Sequence, residues 1–241
     1  YDVYVFAYTS NAHISDTGIA LGKELRALHA SVEKKISLVT VSLGAIIAQY
    51  YLEKDPSYSK EVSRFIACAP PFQGAEMARY RPVSALNKAL TGFVSQGVSQ
   101  ALVLGTLGDA AKDILPESKL LALLKKGRRR AGVRYSVIAG NAPLMPDALL
   151  NAIQGFAKDF EKTQGKSELT RWLKGLLREV QRASGGRGDG VVLLSSTKLK
   201  GVRDRAVIPV HHLQFLKQPR RQGEAIPGLE SVVKRLPKVR R

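Results

Sequence analysis

Short apolar runs alternate with amphipathic stretches along the first 70 residues of the chain. Runs rich in β-branched and aromatic side chains predict strands over residues 2–8, 36–41 and 62–69. An amphipathic helix is predicted between the first two strands, ending near Lys34, and an apolar helix directly follows the second. Strands and helices that alternate at this short spacing predict an α/β fold with a parallel sheet and helices on both faces.

This alternation breaks after residue 70. Residues 86–124 carry short, strongly apolar helical pieces and predict an insertion, and a further strand is predicted over residues 133–140. Residues 147–180 are predicted to be mostly helical, and residues 191–194 and 206–208 are predicted as the last two strands. We therefore expect the following division of the chain: the first part of the core at 1–78, a helical lid or cap insertion at 79–132, the second part of the core at 133–218 and a basic tail at 219–241.

Composition limits the class of protein. A chain of 241 residues with 44% hydrophobic content can bury one sizeable core. Its single cysteine, Cys68, cannot form an internal disulfide and is predicted to be a small core residue. No apolar run reaches the roughly 18 residues of a membrane span. Four histidines and one cysteine form no metal-ligand cluster in the sequence, so we expect neither a metal nor a cofactor.

The chain is strongly basic, with a formal net charge of +18. This charge favours contact with anionic surfaces such as lipid headgroups, and it is concentrated in part at residues 125–130 and 234–241. The plainer interpretation of these two clusters is a solvated loop and a frayed tail. No helix-turn-helix pattern or aromatic-rich surface accompanies them, so we expect no specific nucleic-acid partner.

Residues 35–48 run from an apolar strand through a small-residue turn into an apolar helix, with Ser42 at the turn. A serine on such a bend has an exposed hydroxyl and a helix N-terminus behind it, the arrangement called a nucleophile elbow. The flanking positions should be small. Gly44 and Ala45 meet this requirement, but Thr40 stands where glycine is usual. Taken alone, the stretch fits equally well a buried strand followed by a helix in any α/β protein.

A serine nucleophile needs a base and a group that orients the base. Asp189 lies in a tight glycine-flanked loop just before a predicted strand, and His211 and His212 directly follow the last predicted strand. The order serine, aspartate, histidine is the one that α/β-hydrolases use. Asp147 is a rival for the acid, but its surroundings predict the start of a helix, where an aspartate has a sufficient capping role.

Four further segments resemble motifs of one family. Residues 1–8 resemble the family's strand that precedes the helix leading to the elbow strand. Residues 69–78 resemble its segment "tPhhGs..A". Residues 113–121 resemble its segment "dLlPgSpfL", and residues 189–196 resemble "DGvVplsSa". From Tyr1 to about Leu216 the chain resembles α/β-hydrolase lipases and esterases, especially bacterial lipases and GPI inositol-deacylase-like hydrolases. The resemblance implies an α/β-hydrolase fold with a helical lid. It favours His212 as the base, with His211 as the alternative, and Asp189 as the orienting acid.

The resemblance implies a serine carboxylic-ester hydrolase that acts on acyl esters or lipids through an acyl-enzyme. The backbone N–H of Leu43 is then expected to be one oxyanion donor. In the family the second donor comes from an upstream loop, usually containing His-Gly, and this sequence begins after the place of that loop. The alternative is an inactive hydrolase fold that binds anionic membranes or polyanions. Compartment and oligomeric state stay open; an exported or membrane-associated bacterial protein fits, with any targeting segment upstream of Tyr1.

Overall fold

The centre of the structure is a sheet of four parallel strands. The computed structural model describes residues 1–9, 11–80, 108–144, 146–165, 167–216, 225–226 and 228–238. Within these ranges the strands are β1 (Ile36–Val41), β2 (Val62–Cys68), β3 (Arg134–Gly140) and β4 (Asp204–Ile208), and they neighbour one another in that order. Every neighbouring pair is parallel, with Val39 opposite Ile66 and Ile138 opposite Ala206. The carboxyl ends of all four strands therefore meet at one edge of the sheet.

Helices fill the connections between the strands. The α-helices are α1 (Ile14–Val32), α2 (Leu43–Lys54), α3 (Asp109–Asp113), α4 (Lys119–Lys125), α5 (Asp147–Gln164), α6 (Glu168–Arg182) and α7 (Leu229–Val233). Short 3-10 helices span Glu76–Arg79 and His212–Leu216. None of the helices in the described ranges is long and apolar enough to cross a membrane.

The sheet is covered on both faces, as its sequence predicted. On one face, Phe65, Ala67 and Val137 join a large core with α1, α2 and α4. On the other face, Ile66, Cys68 and Ile138 pack against Phe215 and against Val232 and Leu236 at the end of the chain. Successive strand residues point to opposite faces. Cys68 is buried, and burial raises the pKa of its thiol to about 12.

The prediction of a strand over residues 2–8 was wrong. These residues have no regular secondary structure, and the side chains of Val3 and Val5 are 83% and 87% exposed. Phe6 packs on the main core, and the hydroxyl of Tyr1 donates to the carbonyl of Pro237. A strand is stabilised by pairing with a neighbour rather than by the β-propensity of its residues. No residue of this segment pairs with β1 or with another described strand.

The prediction of a strand over residues 191–194 was also wrong. These residues form bends and turns. The strand-like pairing described in this region is a single antiparallel bridge between Gly188 and Leu193. Val191 and Val192 are buried because they close the tight loop that follows Asp189, to whose carboxylate their N–H groups donate. Burial in a loop therefore produced the same apolar run that a buried strand would.

The predicted lid lies largely outside the described residues, which omit 81–107. Its described part contains α3 and α4, whose buried residues join the main core. The predicted basic tail also contains described residues, and α7 packs there against the sheet through Val232. The proposed domain boundaries stay predictions.

Candidate active site

Ser42 lies in the bend between β1 and α2, with a left-handed backbone at φ 53° and ψ −121°. A residue other than glycine rarely adopts such a conformation, which costs roughly 1–3 kcal/mol and concentrates at functional sites. The backbone N–H of Ser42 donates to the carbonyl of Cys68 at 2.9 Å, which fixes the bend to the end of β2. The Ser42 hydroxyl does not cap α2. The bend therefore presents the hydroxyl at the carboxyl edge of the sheet.

A chain of hydrogen bonds joins Ser42 to His212 and Asp189. The Nε2 atom of His212 lies 2.9 Å from Ser42 Oγ, and its Nδ1 atom lies 2.8 Å from Asp189 Oδ2. His212 and Asp189 are 2% and 1% exposed, while Ser42 is half-buried. An imidazole placed between a hydroxyl and a buried carboxylate can accept the hydroxyl proton and hold the resulting charge.

The loop of Asp189 holds its carboxylate in place. Asp189 Oδ1 accepts backbone N–H bonds from Val191 at 3.1 Å and Val192 at 2.7 Å, which leaves Oδ2 for His212. The backbone carbonyl of Asp189 also accepts the N–H of His212 at 2.9 Å. Acid and imidazole are therefore joined by both backbone and side chain, which restricts the rotation of the imidazole ring.

Gly190 allows this loop to lie close to a neighbouring one. Its backbone has φ +87°, and a Cβ atom at this position would lie 2.5 Å from the backbone N of Leu144. The N–H of Gly190 also donates to the carbonyl of Ala183 at the end of α6. A side chain at this position would displace the loop that carries the acid.

The two rival residues lie in other surroundings. The backbone N–H of His211 donates to Gln214 Oε1 at 2.7 Å, and its Nδ1 is buried without a hydrogen-bond partner among the described residues. Burial lowers the pKa of His211 despite the nearby charge of Asp189. The N-cap of α5 is Pro146 rather than Asp147. Asp147 is the exposed first residue of the helix, where its negative charge interacts favourably with the helix dipole.

Two predicted features of the elbow have clear places in the structure. Leu43 is the first residue of α2, so its N–H is one of the unpaired donors at that end of the helix. Thr40 lies across from Gly44, and a Cβ atom on Gly44 would be an ordinary 3.6 Å from the Thr40 Cβ. Thr40 therefore fits in the glycine position of the motif, and its buried hydroxyl has no hydrogen-bond partner in the part of the chain that the structure describes.

Sequence reasoning did not single out Tyr8, which also lies beside the elbow. Its hydroxyl is 3.7 Å from the position that a Cβ atom on Gly44 would occupy. Tyr8 belongs to the segment predicted as a strand, and nothing in the pattern of that segment distinguishes it from Tyr4. Among the described residues, no group of three or more histidine, cysteine, aspartate or glutamate side chains could hold a metal ion.

Solved structures share this arrangement of sheet and helices. The mature form of the Bacillus licheniformis lipase BlEst2 matches 84% of this chain and 68% of its own with a TM-score of 0.53 and 19% identity. Its propeptide form matches 90% of this chain and 44% of its own, with a TM-score of 0.50 and 16% identity. The phospholipase PlaB from Legionella pneumophila matches 81% of this chain and 36% of its own, with a TM-score of 0.49 and 15% identity.

No protein-family model matches the chain, and no curated protein matches its sequence. The structural likeness to BlEst2 and the parallel sheet define the class: the chain has the α/β-hydrolase fold, which confirms the fold predicted from its sequence.

Proposed function

We propose that this protein is a serine carboxylic-ester hydrolase. The observation that supports the proposal is the continuous hydrogen-bond chain from Asp189 through His212 to Ser42, at the carboxyl edge of a parallel sheet. Ligands of open α/β sheets bind at this edge. The left-handed backbone of Ser42 supports the same role, because it is the strained conformation that a nucleophile elbow requires.

Ester cleavage would take place in two halves. His212 Nε2 takes the Ser42 proton as Oγ attacks the ester carbonyl, and the tetrahedral intermediate collapses as His212 returns that proton to the departing alcohol. Water then attacks the acyl-enzyme with His212 again as base, and the acid leaves as Ser42 regains its proton. Asp189 holds the imidazole and stabilises its charged form. The N–H of Leu43 donates to the oxyanion in both halves.

The substrate class we propose is an acyl ester, with lipids included. The supporting observation is that BlEst2, which shares the fold, is a lipase. The test is hydrolysis of p-nitrophenyl esters of increasing acyl length by the wild-type chain and by Ser42→Ala. We expect turnover by the wild type and its loss in the variant. Equal rates for the two proteins would contradict the proposal, and cleavage of short esters alone would make the protein an esterase rather than a lipase.

A second candidate function is binding to an anionic membrane surface. Each of the four strands begins beside an exposed cation: Lys35, Lys60, Arg134 and Arg203. Of the nearby acids, Glu61 is fully buried, Asp204 pairs with Arg235 at 2.6 Å, and Glu33 is exposed two positions before Lys35. This amino edge of the sheet lies opposite Ser42. A bilayer bound there would leave the proposed nucleophile accessible.

Sedimentation with vesicles tests this second candidate. We expect binding to phosphatidylglycerol-containing vesicles that weakens with salt, and none to phosphatidylcholine alone. The double variant Lys35→Gln/Arg203→Gln should bind more weakly than Lys158→Gln/Lys162→Gln, which removes the same charge from exposed positions on α5. Equal binding by both variants would show that net charge rather than this edge is responsible.

A further inference from the structure

Tyr8 is held against the first turn of the helix that follows the proposed nucleophile. Its ring stacks on Phe6, with centroids 5.7 Å apart and planes 22° apart, and Phe6 in turn packs on the main core. The Tyr8 hydroxyl lies 3.7 Å from the position that a Cβ atom on Gly44 would occupy. The segment around Tyr8 is irregular, yet this side chain is anchored through its aromatic neighbour.

The position of the hydroxyl relative to α2 follows from helix geometry. Cα–Cβ bonds in a helix tilt toward its N-terminus, so an atom in contact with the Cβ position of Gly44 lies beside the first turn. Gly44 is the second residue of α2 and Leu43 is the first. The Leu43 N–H points out of this same end of the helix, where an oxyanion would be held. Because residue 44 is glycine, no side chain separates the phenol from this turn.

The Tyr8 hydroxyl is available to donate a hydrogen bond. Among the described residues, no hydrogen bond is formed by the Tyr8 hydroxyl or by the buried hydroxyl of Thr40, whose Cβ also lies close to the Cβ position of Gly44. Tyr8 is 40% exposed, and its partial burial raises the pKa of the phenol above its ordinary value, so the phenol keeps its proton at neutral pH. A neutral tyrosine is one of the side chains that serve as oxyanion donors.

We propose that the Tyr8 hydroxyl is the second oxyanion donor, acting together with the N–H of Leu43. This inference rests on the proposed ester hydrolysis. The phenol donates a hydrogen bond to the carbonyl oxygen of the substrate as that oxygen becomes negatively charged, and it keeps its proton throughout. The donor then comes from the segment before α1.

The test is Tyr8→Phe, which removes the hydroxyl and keeps the ring on Phe6. We expect kcat for p-nitrophenyl esters to fall by about 100-fold or more, with little change in KM. A loss of this size is typical when one oxyanion donor is removed from an enzyme. The melting temperature should stay close to that of the wild type. Tyr4→Phe is the matched control, because Tyr4 is in the same segment and is 60% exposed; it should retain wild-type activity.

The outcomes separate the two proposals. If Ser42→Ala abolishes hydrolysis while Tyr8→Phe behaves like Tyr4→Phe, the oxyanion role is wrong and the hydrolase remains. If Ser42→Ala and the wild type are equally inactive, and neither reacts with a fluorophosphonate, both proposals are wrong. Thr40→Val tests whether the Tyr8 hydroxyl acts on the reaction indirectly, through the hydroxyl of Thr40. An equal loss of kcat in Thr40→Val and Tyr8→Phe would overturn the direct contact with the oxyanion.

Discussion

The Nε2 atom of His212 lies 2.9 Å from the hydroxyl of Ser42, although the two residues are 170 positions apart in sequence. The fold produces this contact because Ser42 follows β1 and His212 follows β4 at the same edge of a parallel sheet. The two outermost strands of the described sheet thus lead into the proposed nucleophile and the proposed base. The connection between α6 and β4 contains the tight loop of Asp189, which meets the imidazole at that edge.

The adjacent histidines should differ sharply in their effect on ester hydrolysis. His212→Asn removes the base and should lower kcat by about 10⁴-fold or more. His211→Asn should leave kcat nearly unchanged, since the structure brings only His212 against Ser42. The measurement is steady-state turnover of a p-nitrophenyl ester by both variants, with circular dichroism to confirm folding. A larger loss of kcat in His211→Asn than in His212→Asn would show that His211, and not His212, is the base.

Two aspartates offer a similar contrast. Asp189→Asn keeps the size of the side chain but removes the charge that stabilises the imidazolium, and kcat should fall by up to about 10⁴-fold. Asp147→Asn changes an exposed residue at the start of α5 and should leave kcat unaltered. Comparing kcat of the two variants at neutral pH provides the measurement. Similar activity in both would exclude Asp189 as the orienting acid.

The sequence predicts those features of this fold that depend on local pattern. The apolar run before Ser42 and the small residues after it predicted β1, the bend and α2, because strand propensity, turn chemistry and helix periodicity all agreed there. The wrong predictions arose where local pattern and pairing disagree. Residues 2–8 carry strand-forming side chains without a pairing partner, and Val191 and Val192 are apolar because they close a loop on Asp189.

The position of Tyr8 could not be predicted for a different reason. Its contact with Gly44 depends on how an irregular segment crosses the sheet edge, and no periodicity encodes that path. The proximity of His212 to Ser42 was predictable only through chain order and family resemblance, since spacing in sequence carries no information about a contact across 170 positions. The choice between His211 and His212 likewise depended on the resemblance.

A methyl group on Gly190 should disturb both stability and activity. Gly190→Ala would strain a backbone at φ +87° and crowd the backbone N of Leu144, which lies 2.5 Å from the new Cβ position. Gly186→Ala is the matched control, because its φ is +76° but nothing lies within 4 Å. Each substitution should cost about 1 kcal/mol through its left-handed backbone. Gly190→Ala should cost roughly 1–3 kcal/mol more through crowding.

The same pair distinguishes crowding at the acid loop from general destabilisation. Gly190→Ala should also lower kcat because the displaced loop carries Asp189, whereas Gly186→Ala should keep wild-type kcat. Urea unfolding and ester turnover on both variants provide the two measurements. If the two variants lose the same stability and the same kcat, backbone strain alone accounts for the effect and the contact with Leu144 has no role.

Glu53 lies in the last turn of α2, the helix that begins at the elbow. Its carboxylate is fully buried, with Oε2 2.8 Å from Arg129 Nη2 and 3.1 Å from Gln49 Nε2, while Oε1 has no hydrogen-bond partner among the described residues. Burial raises the pKa of Glu53 to about 7, although Arg129 opposes the shift. This pKa shift links the stability of the elbow helix to pH.

The free energy of unfolding should fall as pH rises from about 4.5 to about 7, because the unfolded chain releases the Glu53 proton while the folded protein retains it. The shift corresponds to about 3 kcal/mol, present in full below the unfolded pKa and lost as pH rises through the folded pKa. Glu53→Gln should remove this slope, and Glu24→Gln, an exposed control on α1, should retain it. Urea unfolding across this pH range measures the difference between each variant and the wild type. A difference between Glu53→Gln and wild type that does not change with pH would mean that the buried carboxylate titrates as it does in the unfolded chain, with Arg129 offsetting its burial.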